Sequence, residues 1–355
     1  MTAIKDFTPF SIVLVTGANG HVAQHVVSQL LSRPEATRPR VRATCRRQES
    51  ADALATTFSS HVKAGTLEII LISDITKEGA FTDALSDVTH IAHVASPLVV
   101  APKDTENDLL IPAIRGTTAL LKAAANCPNL EAVVVTSSFA ALFDLKQGSR
   151  KGYTYTGADW NPTTYAEAAD PNLDLTHWPE KYRPFVTYCA SKSLAEKAAW
   201  DFYRAAKPRW RLSTVLPASI GGPYLLPLPK GLKGISYNAG VIWNIARSKP
   251  EEKLQDLEFV HWVDVRDVAE AHVKVLITPE AEGKRLLAGP WRVPYSDVAG
   301  VIREKFGWKT SEDVQTLNHW DADMVETERT LNINWIGLEK MVVDTVEQLR
   351  AVEGV

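Results

Sequence analysis

The chain has 355 residues, of which 45 % are hydrophobic and 23 % charged, enough apolar material for one large core with an appended lobe. A net charge of -3 gives no electrostatic case for nucleic acid or an anionic membrane as partner. Cys45, Cys127 and Cys189 form neither a disulfide framework nor a CxxC motif, and no apolar run is long enough to span a bilayer, so a cytoplasmic protein is expected.

Residues 11–15 are a short, continuously apolar run. Thr16-Gly-Ala-Asn-Gly20 follows, and then apolar residues at helical spacing, Val22, Val26, Val27, Leu30 and Leu31. The segment reads strand, glycine turn, helix. The alternation continues with a strand at 41–45, an Ala-rich helix near 50–58, a strand at 67–72, a short helix around 81–85 and a strand at 90–95. A long helix from about 109 to 125 and a strand at 132–136 complete it. Repeated β-α-β units with continuously apolar strands predict an α/β fold, a doubly wound parallel (Rossmann) sheet covered on both faces.

Residues 143–184, rich in Gly and Pro, break the rhythm and read as an insertion near the mouth of the sheet, packed by Trp160, Tyr165 and Trp178. A helix carrying Tyr188 and Lys192 comes next, then a strand at 211–216 and an irregular Pro- and Gly-rich wall at 217–234. A strand at 258–263 and a helix at 265–277 are expected to return to the sheet. Short mixed elements follow, ending in a helix at 342–352. The expected organisation is a dinucleotide-binding domain at 8–217, completed by 258–278, and a smaller, mixed, discontinuous C-terminal substrate lobe at 218–257 and 279–355.

Gly17-Ala-Asn-Gly20-His-Val-Ala23 fits G-x-x-G-x-x-A. The glycines let the backbone turn close to a pyrophosphate, whose charge is held by the free N–H groups and the dipole of the helix N-terminus. Thr16, Gly17, Asn19, Gly20, His21 and Val22 are the predicted contacts. An acid at the end of the second strand would hold the ribose hydroxyls of NAD. Arg46 and Arg47 stand there instead and favour the 2′-phosphate of NADP(H), the competing reading being a solvated basic face. Asp74 and Ile75 are placed for the adenine amino group and ring, although a helix N-cap explains Asp74 as well. His21 and His25 have the spacing of half a zinc site with no third ligand, so no metal is expected. His90 and His93 point to opposite faces of a strand.

Tyr188 and Lys192 lie one helical turn apart on one face. A neighbouring ammonium is expected to lower the phenol pKa from its usual value of about 10, making Tyr188 a proton-transfer group. Thr136-Ser137-Ser138 ends a strand at the edge where open α/β sheets bind ligands. A hydroxyl there is placed to hold a carbonyl oxygen, or merely to bond local backbone.

Together TGANGHVAQH, VRATCR, HVASP, VVVTSSFAALF, YCASKSLAEKAAWDF, LPASIGGP and WVDVRDVAEAH resemble the extended short-chain dehydrogenases/reductases. The resemblance is to the branch with plant dihydroflavonol reductases and fungal NADPH-dependent carbonyl, aldehyde and methylglyoxal reductases. It implies a catalytic Ser138, Tyr188 and Lys192, with Ser137 as the alternative serine, and Lys192 also on the nicotinamide ribose. It places Ala95, Ser96 and Pro97 along the cofactor and Pro217, Ser219 and Ile220 near the carboxamide. The implied reaction is reduction of a ketone or aldehyde, with hydride from NADPH and a proton from Tyr188. Phe139, Leu142, Tyr224, Leu225 and Trp243 are candidates to line an apolar pocket for a small-molecule carbonyl substrate, in a monomer or homodimer. A nucleotide-sugar epimerase or dehydratase shares the triad but usually keeps NAD, against which Arg46 and Arg47 argue. A non-enzymatic NADP-sensing protein typically lacks Tyr or Lys of the pair. His21 stands where relatives usually carry an aromatic residue, and is expected to bring an imidazole to the pyrophosphate and make cofactor affinity pH-dependent.

Overall fold

The computed structural model describes residues 6–96 and 102–354. The first half alternates: β1 (Ile12–Thr16), α1 (His21–Leu31), β2 (Arg40–Cys45), α2 (Gln48–Thr57), α3 (Ser59–Lys63), β3 (Leu67–Leu71), β4 (His90–His93), α4 (Ile111–Ala124) and β5 (Ala132–Thr136). There follow β6 (Thr154–Tyr155), α5 (Tyr165–Ala169), α6 (Val186–Ala206), β7 (Arg211–Pro217), β8 (Ser219–Gly221) and α7 (Tyr237–Arg247). The chain ends with β9 (His261–Asp264), α8 (Val265–Ile277), β10 (Arg285–Ala288), β11 (Trp291–Arg292), α9 (Tyr295–Phe306), β12 (Asp321–Ala322), α10 (Val325–Leu331) and α11 (Leu338–Glu353).

Seven strands form one parallel sheet in the order β10-β7-β5-β4-β1-β2-β3. Its strands are apolar on both faces because helices cover both. Val13, Val15 and Val134 pack with α1 and α8, whereas Leu14, Val133 and Val135 pack with α4 and α6. The strand order reverses between β1 and β4, which opens a crevice at their C-terminal ends.

The second layer of structure is a three-stranded sheet, β11-β9-β8, set in an aromatic-rich core. Here the strand expected at 258–263 departs from the sequence reading: β9 pairs with β8 and β11, and not with the large sheet. The free edge of β7 is taken instead by β10, with Arg285 opposite Thr214 and Leu287 opposite Leu216. Both runs are short and apolar, so periodicity alone cannot say which sheet accepts them.

The 143–184 insertion is docked onto the smaller sheet and its neighbours. Its β6 pairs with β12, Trp178 is buried, and Lys181 Nζ donates to the Leu257 carbonyl at 2.8 Å. Trp160 lies under the Arg285 guanidinium at 3.5 Å, and the Tyr165 hydroxyl donates to Glu106 at 2.7 Å. No helix among the described residues is long and apolar enough to cross a membrane.

A buried carboxylate ties these parts together. Glu196 of α6 receives Arg285 Nε at 2.8 Å and a second guanidinium nitrogen at 3.0 Å. It also accepts the hydroxyls of Ser137 at 2.6 Å and Thr214 at 2.8 Å and the Trp200 indole N–H at 3.2 Å. Arg285 in turn donates to the carbonyls of Gly157 and Asp159 in the insertion.

Two stability predictions follow from buried charge. Arg285→Met strands the Glu196 carboxylate and should cost roughly 3–5 kcal/mol in urea unfolding, while the double change Glu196→Leu/Arg285→Met should recover much of that loss. A double variant no more stable than the single one contradicts this. Second, burial lowers His21, His93, His272 and His319 each to about 4, below the ordinary value of 6.5. Over that window the unfolded chain binds more protons, so stability is full above pH 6.5 and falls by about 1.4 kcal/mol per pH unit per histidine on acidification. Asp267, pushed up to about 7 by burial, works in the opposite sense, but the histidines outnumber it. The urea midpoint should therefore decline between pH 6.5 and 4.5; a constant midpoint rules this out.

Candidate active site

At the β1–α1 turn Gly17 has φ +64°, and a Cβ added there would lie 3.0 Å from the Ala95 Cα. Any side chain is thus excluded by backbone conformation and by space. Gly20 precedes α1 without a side-chain cap, and the first turn carries no acid, so backbone N–H groups face an open, electropositive end. This cradle suits a pyrophosphate. The Thr16 and Val22 side chains beside it are occupied elsewhere. Thr16 is buried and its Oγ1 accepts from the amides of Val94 and Ala95, sewing the end of β1 to that of β4. Val22 points into the core, and Asn19 backbone bonds the buried Cys45 thiol.

His21 is placed differently from the sequence expectation. Its Nε2 donates toward the carbonyls of Gly222 at 3.1 Å and Pro223 at 3.2 Å, and its ring stacks on Tyr224 at 3.9 Å. Burial, and then the neighbouring His25, lower it to about 4. The imidazole is neutral at ordinary pH and supplies no titrating charge to the cofactor end.

Arg46 and Arg47 are exposed at the end of β2. Asp74 accepts from the Thr76 hydroxyl at 2.7 Å and the Thr76 amide at 2.9 Å, and these bonds hold its carboxyl below the usual range. Ile75 packs partly buried against the α4–α6 face of the sheet. Ala95 lies beside Gly17, and Ser96 receives the Lys192 ammonium at 2.9 Å. Pro97 lies outside the described residues. Pro217 ends β7, and Ser219 and Ile220 lie in β8, beyond the Ala218 amide that donates to Ala288 at 2.8 Å.

The two serines after β5 have different partners. Ser137 is buried and committed to Glu196. Ser138 is partly exposed, accepts from the Ala140 amide at 3.1 Å and hydrogen-bonds the Tyr188 hydroxyl. Tyr188 and Lys192 leave one face of the 21-residue α6, with the Lys192 Nζ 5.8 Å from the Tyr188 ring centroid. The expected lowering of the phenol pKa is not what this geometry gives. Burial pushes Tyr188 up to about 12, outweighing the Ser138 hydrogen bond, and lowers Lys192 to about 8. At that distance, and held by Ser96, the ammonium does not offset the desolvation of a phenolate. Tyr188 is therefore a protonated acid at neutral pH.

Of the expected pocket residues, Phe139, Leu142 and Trp243 are core side chains rather than open lining. Phe139 packs against Phe143, His261 and Trp320 at centroid distances of 5.9–6.3 Å, and Trp243 against Trp308 at 6.1 Å. An apolar residue beside a strand end gains more from burial there than from facing water. Tyr224 and Leu225 are held against α1, Tyr224 on His21 and the Leu225 amide on Gln24 Oε1 at 2.6 Å. Sequence reasoning missed Phe185, three residues before Tyr188, which meets Phe259 at 5.0 Å and the half-exposed Tyr237 at 5.7 Å. Its signal was the i, i+3 spacing. Glu196, four residues beyond Lys192 on α6, carries the same kind of signal, the i, i+4 spacing that puts it on the Lys192 face.

The family model "NAD dependent epimerase/dehydratase family" matches residues 13–289. The NADPH-dependent methylglyoxal reductase GRE2 of Saccharomyces cerevisiae is 30% identical, the match covering 96% of this chain and 99% of that protein. The ketoreductase sphI of Aspergillus fumigatus is 29% identical, covering 95% and 97%. A crystal structure of the yeast methylglyoxal/isovaleraldehyde reductase Gre2 complexed with NADPH superposes with a TM-score of 0.84 at 30% identity, covering 97% of this chain and 99% of that one. The chain belongs to the NAD dependent epimerase/dehydratase family and, within it, resembles the fungal reductases of the extended short-chain dehydrogenase/reductase type.

Proposed function

We propose that this protein is an NADPH-dependent carbonyl reductase, converting a ketone or aldehyde to the alcohol. The observation that carries the reading is the juxtaposition of Ser138, Tyr188 and Lys192 at the C-terminal edge of the sheet, beside the Gly17–Gly20 cradle. The exposed Arg46 and Arg47 suit a ribose 2′-phosphate, and relatives named for NADPH dependence support the same cofactor.

The backbone cradle holds the pyrophosphate, and Lys192 the nicotinamide ribose. NADPH, when bound, supplies the hydride to the carbonyl carbon. Tyr188, kept protonated by burial, gives its proton to the carbonyl oxygen. Ser138 orients that oxygen and, with the Lys192 ammonium, stabilises the phenolate left behind. Phe185 and Tyr237 offer an aromatic wall near Tyr188, which favours substrates with an apolar substituent on the carbonyl.

The test follows NADPH absorbance with aldehydes, α- and β-keto esters, diketones and flavanonols. Tyr188→Phe should lower kcat by roughly 10²–10⁴-fold with the fold intact by circular dichroism. If no carbonyl consumes NADPH above that variant's background, the reductase reading is lost; NAD retained through purification, with interconversion of a nucleotide sugar, would replace it. Changing Arg46 and Arg47 to Ala should raise KM for NADPH about tenfold or more, about 1.4 kcal/mol, while leaving KM for NADH nearly unchanged. Equal losses with both cofactors would remove the arginines from phosphate recognition.

A further inference from the structure

His93 ends β4 in full burial below Lys192, and the reduction described above gives it no role. Its protonation is fixed by its neighbours. The Thr16 hydroxyl lies 2.9 Å from His93 Nδ1 and already accepts the amides of Val94 at 3.1 Å and Ala95 at 3.0 Å. A hydroxyl has two lone pairs and one proton, so with both acceptor positions used Thr16 donates to Nδ1. Nδ1 is bare, and the ring proton is on Nε2. That Nε2–H is buried and has no protein partner among the described residues, so burial leaves it unfavourably desolvated unless something else takes it.

His93 and Lys192 line one small cavity, of about 20 Å³, with Ser96, Thr136, Ser137 and Glu196 on its other walls. That volume suits one water molecule. The charges facing it select the same occupant. Glu196 is saturated by Arg285, Ser137, Thr214 and Trp200, and with His93 neutral the Lys192 ammonium is the charge left to be solvated. The His93 Nε2–H and the Lys192 ammonium, beside the hydroxyl oxygens of Thr136 and Ser137 whose protons are given to His272 and Glu196, suit a small neutral molecule with two lone pairs and protons of its own to donate. A carboxylate on the wall opposes an anion.

We propose that His93 holds a single ordered water between its Nε2–H and the Lys192 ammonium, and is thereby a positioning residue for Lys192. The inference rests on the role given to Lys192 above. The ammonium sits where burial already favours its neutral form, facing Tyr188 of its own helix, neutral His93 of β4 and the Glu196–Arg285 pair. Ser96, the water and the solvent on the exposed side of the Ser96 contact are then its solvation. Without the water Lys192 loses its proton at lower pH, and with it the grip on the ribose and the stabilised phenolate.

The test compares wild type, His93→Leu and His93→Gln, the last with an amide N–H in place of the imidazole donor. NADPH affinity is followed by fluorescence titration, and kcat/KM for a reduced carbonyl is followed, both from pH 6 to 9.5. In His93→Leu the alkaline fall of both should begin about one pH unit lower, and His93→Gln should restore the wild-type position. A His93→Leu profile coincident with wild type, or a Gln variant that behaves as Leu, overturns the proposal. A crystal structure of the NADPH complex should hold a water within hydrogen-bond distance of both nitrogens; a clearly empty cavity also overturns it. The binding titration and the crystal structure read out independently of turnover, so an enzyme that reduces no carbonyl sinks the reductase assignment while leaving this test able to decide.

Discussion

The rotation of α6 about its own axis decides whether this site exists, and a single buried carboxylate fixes that rotation. Glu196 is bonded to β5 through Ser137, to β7 through Thr214 and to β10 through Arg285. Lys192 and Tyr188 stand four and eight residues earlier on the same helix, so anchoring Glu196 to three strands turns both toward the strand ends. Lys192 then meets Ser96 after β4, and Tyr188 meets Ser138 after β5. The adjacent serines divide the work by strand alternation. Ser137 shares its face with Val133 and Val135, which pack toward α6, while Ser138 is free for the ligand side.

That division explains what could be read from the chain and what could not. β5 and α1 were legible nearly to the residue because their apolar periodicity is local, and the glycine turn was legible because Gly17 is required by its own backbone angle. The exchange of partners between β9 and β10 was hidden, since it depends on which edge of β7 is left open. The burial of Phe139 and Trp243 is hidden for a related reason: both look alike in sequence whether they face a substrate or Trp320 and Trp308. Spacing brings out the Tyr188–Lys192 pair, yet the proton affinity of the phenol moves opposite to the direction that spacing predicts. Spacing reports the attraction of the ammonium; it says nothing of how much water the fold removes, and here removal dominates.

The same desolvation suits a reduction. A phenol held above the working pH arrives protonated and can act as the acid, and its conjugate base is costly until a cation and a hydroxyl are brought to bear. Lys192, lowered to about 8, is poised between charged and neutral forms in this pocket. A dinucleotide carrying negative phosphates, laid along the crevice, favours the charged form. In the proposed reduction, Tyr188 is therefore a more effective acid with the cofactor in place.

The cofactor end is also mechanically joined to the smaller lobe. α1 begins at the Gly17–Gly20 turn, and the next turns of the same helix hold the chain after β8. Gln24 accepts the amides of Leu225 and Leu226, both at 2.6 Å, while His21 and His25 donate to the carbonyls of Gly222 and Pro223. From the other side α11 takes the Gly222 amide on Thr345 at 2.7 Å and brackets Tyr224 between two Gln348 bonds of 2.7 Å. The 222–226 segment is thus clamped between the dinucleotide helix and the last helix of the chain. His21 stacks on Tyr224 and donates toward the carbonyls of Gly222 and Pro223. Its value to the fold lies in that neutral N–H, which is why burial can strip it of charge without loss.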